Sequence, residues 1–193
     1  TGFSAEAYAA RNPDLFSAYG LDTNALITHF QGFGRNEGRA ATGFSAEAYA
    51  ARNPDLYAVF GLSNDALVNH FVQFGSREGR QATGFSAEAY AARNPDLFNV
   101  FGLDADALVR HYVNFGRNEG RQATGFTASE YAALNPDLFG VFGLNTEALV
   151  RHYVNFGRAE GRQAALAQPG TALVEPLDVL GITDAGAGSP LGG

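Results

Sequence analysis

Four times in succession the chain spells one phrase, T-G-F-[ST]-A…Y-A-A-x-N-P-D-L…G-L…A-L…H-[FY]…F-G…E-G-R, opening at Thr1, Thr42, Thr83 and Thr124. The offset is 41 residues each time, with nothing inserted or lost. A fixed period of this length makes each unit bury its apolar face against itself and its neighbours, as in a solenoid. The chain therefore divides into units at 1–41, 42–82, 83–123 and 124–164, followed by a tail at 165–193.

Within a unit, strong stop signals separate short helices. Ser4 is an N-cap for A-E-A-Y-A-A-R, with Glu6 in the first turn and a staple pair in Phe3 and Tyr8. In the fourth unit Thr127 and Glu130 have capping-box spacing. Asn12 before Pro13 ends the first helix and is read as the cap of the next, whose first turn holds Pro13 and Asp14. Gly20 stops that second helix. Asp22 caps a third helix over 23–33, with Leu21 and Leu26 as its staple. Its apolar residues Leu26, Ile27, Phe30 and Phe33 recur at helical spacing and predict one buried stripe, ended by Gly34. The expected fold is all-α: four tandem three-helix units with an extended tail.

All aromatic residues fall in the units, six rings to each, enough for a small core. The chain is acidic, net −7, and every basic residue is Arg. An acidic surface without basic runs argues against nucleic acid and anionic membranes as partners. No apolar run approaches the roughly 20 residues a membrane span needs. Absent Cys excludes disulfides and thiolate chemistry without locating the protein in a reducing compartment. With no signal peptide and no Met, the chain is expected to be a processed product or a piece of something longer. The tail carries Pro and Gly together with Leu173, Val174, Leu177, Val179, Leu180 and Ile182, too apolar for a free linker. It is expected to lie in a groove on the fourth unit or on another subunit. Arg11, Arg52 and Arg93 become Leu134 in the last unit, which makes Leu134 the tail-docking candidate.

Each unit has one histidine, His29, His70, His111 or His152, without a partner at i+4. A metal or catalytic site would need ligands from neighbouring units, so the expected role is structural, with the imidazole bonding a backbone carbonyl. Asp22 with Asn24, and Asn12 with Asp14, do not continue into a calcium loop and are read as helix starts. Glu37 and Arg39 recur as Glu78 and Arg80, Glu119 and Arg121, and Glu160 and Arg162. They are read as a junction joining the end of one unit to the start of the next, or else as a ligand clamp. The surrounding glycines form no nucleotide-binding motif. Ser4, Ser45, Ser86 and Thr127 already serve as caps, so neither a catalytic residue nor a cofactor is expected, and the chain is not read as an enzyme.

Residues 1–15, 42–56 and 83–97 are identical, surface positions included, as arrays of like units meeting like units require. The first unit shows no polar capping adaptation, which leaves its end open to a head-to-tail contact with another copy. The N-P-D-L and H-[FY]-x-x-F-G-x-x-E-G-R motifs resemble a short tandem repeat of large secreted and cell-surface proteobacterial proteins of the RTX, adhesin or S-layer-associated kind. The likeness covers residues 1–164 and implies an extracellular, structural or adhesive role. No glycine-rich calcium nonapeptide block accompanies it here. The expected function is an extracellular structural protein that self-assembles into a filament or surface layer through its ends and tail. The alternative is a multivalent module for a glycan or peptide. Aromatic rings aligned on the outside favour the module, and rings all buried favour the scaffold.

Overall fold

A computed structural model describes residues 3–165, and among them every regular element is helical. The first unit holds α1 (Ala5–Arg11), α2 (Pro13–Tyr19) and α3 (Thr23–His29), and α3 runs unbroken into a π-helical turn, Phe30–Gly34. The second holds α4 (Ala46–Arg52), α5 (Pro54–Phe60), α6 (Asn64–His70) and the turn Phe71–Gly75. The third holds α7 (Ala87–Arg93), α8 (Pro95–Phe101), α9 (Ala105–His111) and the turn Tyr112–Gly116. The fourth holds α10 (Ala128–Leu134), α11 (Pro136–Phe142), α12 (Thr146–His152) and the turn Tyr153–Gly157. No described helix is long and apolar enough to cross a membrane.

The helix starts follow the cap chemistry. Ser4 Oγ accepts the Ala7 N–H at 3.2 Å, and Thr127 Oγ1 accepts that of Glu130 at 3.2 Å. The Phe3 and Tyr8 rings meet at 5.6 Å. Asp22 Oδ1 accepts from Asn24 and Ala25, so that carboxylate is a cap. Gly20 has φ +57° and ψ −128°, a combination open to glycine and strained for other residues.

Asn12 stands at the N-cap of α2 as expected, its carbonyl accepting from Leu15 and Phe16, but the side-chain part of that cap is corrected. Its side chain caps nothing; Nδ2 donates to the Tyr8 carbonyl at 2.7 Å and the Ala40 carbonyl at 2.9 Å. Tyr8 lies in the last turn of α1, where carbonyls lack helical partners, and a buried amide goes to the acceptors it can reach. Asn53, Asn94 and Asn135 do the same in their units. Together with the bond from the Ser4 N–H to the Ala41 carbonyl, this folds the end of a unit back onto its own start.

The opening helix is the centre of each unit. Ala7, Tyr8 and Ala9 are fully buried, and α1 packs on α3 of its own unit and on α6 of the next. The alanines let helices approach on both sides. The same helix relation recurs with α4 against α9 and α7 against α12, so the units stack in a line.

The expected stripe on the third helix is also corrected. Leu26 is fully buried, but Phe33 is 62% exposed. The π turn advances less rotation per residue than an α turn, so Phe33 falls behind the buried stripe. Gly34 is the last residue of that turn and so ends the third helical run, as expected. A Cβ there would land on the Tyr8 hydroxyl, and the left-handed stop comes later, at Gly38 with φ +68°.

Candidate functional site

The joints between units come first, because they set how surface groups repeat. Glu6 Oε1 accepts the Ala46 N–H of the next unit at 2.7 Å; Glu47 and Glu88 do the same for Ala87 and Ala128. Each carboxylate thus serves as a second cap for its neighbour's opening helix. Burial pushes the Glu6, Glu47 and Glu88 carboxyls above their ordinary range, against the lowering effect of the bond they accept. The arginine that ends each of the first three opening helices also reaches forward. Arg52 donates to the Tyr112 hydroxyl at 2.9 Å, Arg93 to that of Tyr153 at 2.8 Å, and Arg11 lies over the Phe71 ring at 5.7 Å.

The residues expected to form the junction do not form it. Arg39 bonds Glu37 through Nε at 2.5 Å and Asp14 through Nη1 at 2.7 Å, all within one unit. Arg80 holds Glu78 and Asp55, Arg121 holds Glu119 and Asp96, and Arg162 holds Glu160 and Asp137 in the same way. The closing turn folds back beside the second helix, which places Arg39 next to the first-turn carboxylate there. These groups clamp the unit shut.

The histidines lie inside this frame. His29 Nδ1 bonds the Tyr8 hydroxyl at 2.9 Å and not a backbone carbonyl as expected; His70, His111 and His152 pair with Tyr49, Tyr90 and Tyr131. Burial pushes the hydroxyls of Tyr49, Tyr90 and Tyr131 up to about 12, so each keeps its proton at neutral pH. The hydroxyl and the imidazole Nδ1 share one hydrogen bond, and the imidazole tautomer sets which of the two donates. Among the described residues no three His, Asp or Glu side chains gather as a metal site would require.

Each imidazole lies between two further rings. His29 has Tyr19 at 6.1 Å and Phe33 at 5.6 Å; His111 has Phe101 at 6.0 Å and Phe115 at 5.5 Å. Phe60 and Phe74 flank His70, and Phe142 and Phe156 flank His152. The π-turn ring is exposed in all four units: Phe33 62%, Phe74 52%, Phe115 57% and Phe156 56%. In the third unit the trio lines a shallow hollow of about 170 Å³ rimmed by Arg110 and Asn114. In the fourth the equivalent hollow is about 200 Å³, rimmed by Arg151 and Asn155. Arg110 is held by Asp106 and Arg151 by Glu147, each at 2.5 Å. The first two units place Thr28 and Gly32, then Asn69 and Gln73, at those rim positions. Such a hollow offers ring faces, an imidazole edge and a polar rim. The signal for it in the sequence is a phenylalanine before the Gly of every F-G, obscured because helical spacing also suits a core residue.

The two ends of the stack are unlike its joints. At the far end Ser129 stands where the other units have Glu6, Glu47 and Glu88, and half-buried Leu134 stands in place of the arginine. Phe139 is 53% exposed there, whereas its counterpart Phe98 is buried under the Arg151 guanidinium. The expected cover for Leu134, the tail from residue 166 onward, lies outside the described residues.

The chain matches no protein-family model, no curated protein and no solved structure. The class its coordinates define is an all-α array of stacked repeats.

Proposed function

We propose that this chain is an extracellular binding scaffold that presents one exposed aromatic cluster four times, at regular intervals, to a neutral glycan of repeating structure. The observation that carries this reading is the row Phe33, Phe74, Phe115 and Phe156, each exposed and each beside an imidazole set between two rings. Large rings on the outside at one position of every unit form the kind of exposed apolar surface that marks interaction sites. A ring face suits the apolar C–H face of a pyranose, while the imidazole and the polar side chains of the rim suit its hydroxyls. One such cluster binds weakly. Four on a rigid stack raise the affinity for a polymer by about 10²–10⁴ over a single-site ligand. The extracellular setting is supported by the motif resemblance, and this reading calls on no reacting group. The test is a panel of immobilised neutral polysaccharides probed with the full chain. Retention on at least one polymer, competed weakly by its monosaccharide, supports the reading; retention on none contradicts it.

Head-to-tail self-assembly into a filament or surface layer is the second reading. It is supported by the open face of the first unit, where Phe3 and Phe30 are half-buried while Phe44 and Phe71 at an internal joint are buried. A joint made there by the fourth unit of another copy would lack the glutamate and arginine of the internal joints. Sedimentation at high concentration separates the readings: a folded chain that stays monomeric removes the second and leaves the first.

A further inference from the structure

We infer that the outer face of the first unit docks a repeat unit of another protein, one that carries the glutamate and arginine that this chain's own fourth unit lacks. Every internal joint has a giving half and a receiving half. The giving half is a glutamate and an arginine five residues apart on the opening helix: Glu6 and Arg11, Glu47 and Arg52, Glu88 and Arg93. The receiving half is the head of the next opening helix and the ring that starts its π turn. Glu6 caps Ala46, Arg11 lies over the Phe71 ring at 5.7 Å, and Arg52 and Arg93 donate to the hydroxyls of Tyr112 and Tyr153. One bond runs back across the joint, from Arg158 Nη1 to the Arg93 carbonyl at 3.4 Å.

The first unit keeps the receiving half. Phe3, Ala5, Ile27, Phe30 and Ala41 are half-buried, whereas their counterparts at the first joint, Phe44, Ala46, Val68, Phe71 and Ala82, are buried. Arg35 stands at the position of Arg158. Phe30, Arg35, Arg39 and Thr42 line a hollow of about 380 Å³. Its counterpart beside Phe71, Ser76, Arg80 and Thr83 is about 290 Å³, with Arg11 of the preceding unit in its wall. Glu37 and Asp14 hold the Arg39 charge, so a guanidinium can lie over the Phe30 ring as Arg11 lies over Phe71. The face is thus continuous in kind with three complete joints, and its partner's chemistry is theirs. A second copy offers Ser129 and Leu134 instead. Serine is too short to bring an acceptor to the Ala5 N–H, and leucine brings no cation to the ring, so both polar contacts are forfeited. Such a difference selects between partners of otherwise equal shape.

The test builds the partner from the full chain itself. Ser129→Glu with Leu134→Arg restores the giving half, and head-to-tail association of this variant in sedimentation equilibrium is expected to be about tenfold or more tighter than the parent's. Adding Phe30→Tyr supplies the hydroxyl that Arg52 and Arg93 find at Tyr112 and Tyr153, and should tighten association again. Adding Phe30→Lys instead sets a cation against the arginine and should abolish the gain. Phe30→Tyr keeps the ring, so the test stands even where the lysine unfolds the first unit. No gain over the parent, or a gain indifferent to Phe30→Tyr, overturns the inference. A parent that already associates as tightly as the double variant also overturns it, because the face then takes a second copy without the glutamate and arginine.

Discussion

The Glu6 carboxylate accepts the backbone N–H of Ala46 at 2.7 Å, so the first unit completes the opening helix of the second. A helix start that needs its neighbour couples the stability of adjacent units, and the coupling recurs at Glu47 and Glu88.

That coupling gives a pH dependence of definite sign. The folded pKa of Glu47 is raised by burial. Between the unfolded value near 4.5 and the raised folded value, the native state holds a proton that the unfolded chain has released. The ionised carboxylate therefore costs stability, and stability falls as pH rises through that window. Glu47→Gln keeps an oxygen acceptor and removes the titration. Urea midpoints taken from about pH 4 to about pH 7 should show a shallower decline in the variant than in the parent.

Gly116 makes room for a hydroxyl. A Cβ at Gly116 would overlap the Tyr90 oxygen, so Gly116→Ala is expected to destabilise by about 1–3 kcal/mol. Adding Tyr90→Phe removes the overlapped atom and should recover part of the loss, a coupling read from a double-mutant cycle in chemical denaturation.

Asn94 is the hinge pin of the third unit, with Nδ2 bonded to the Tyr90 and Gln122 carbonyls at 2.7 and 2.9 Å. Asn94→Ala strands both acceptors and should cost about 2–4 kcal/mol. Asn94→Asp offers no donor when ionised and should be no better. Loss of hydrogen-exchange protection concentrated in residues 83–123 is the expected signature.

Arg93→Leu copies the fourth unit's own substitution into an internal joint. Losing the bonds to the Tyr153 hydroxyl and the Gly125 carbonyl should weaken the joint by about 1–3 kcal/mol. Hydrogen exchange should rise in the fourth unit before it rises in the first.

The helices were legible because their boundaries are written in residues with local effects. Ser4, Asp22, Asn12-Pro13 and Gly20 act on their own backbone, and each marks a boundary where it was expected. What escaped depends on groups distant in sequence. The Asn12 amide prefers two carbonyls, one of them at Ala40, over its own helix start. Glu6 looks like a favourable first-turn charge until the next unit's first N–H is in place. Arg39 could not be assigned to its own unit before the closing turn was folded against Asp14. Phe33 fits the apolar period but leaves the core at the π turn, where Gly34 packs against the Tyr8 hydroxyl. The exposed aromatic row was thus hidden by the spacing that made the third helix easy to read.

The most direct test of that row is a valence series. Phe33, Phe74, Phe115 and Phe156 are changed to Ala one, two, three and four at a time, and affinity for a retained polysaccharide is measured by surface plasmon resonance. Exposed side chains of this kind should alter stability by roughly 0.5 kcal/mol or less each, so the fold persists through the series. Affinity falling in steps, with the fourfold variant at or below about one hundredth of the parent, is the predicted result. Unchanged affinity in the fourfold variant, or complete loss at the first substitution, would contradict four equivalent sites.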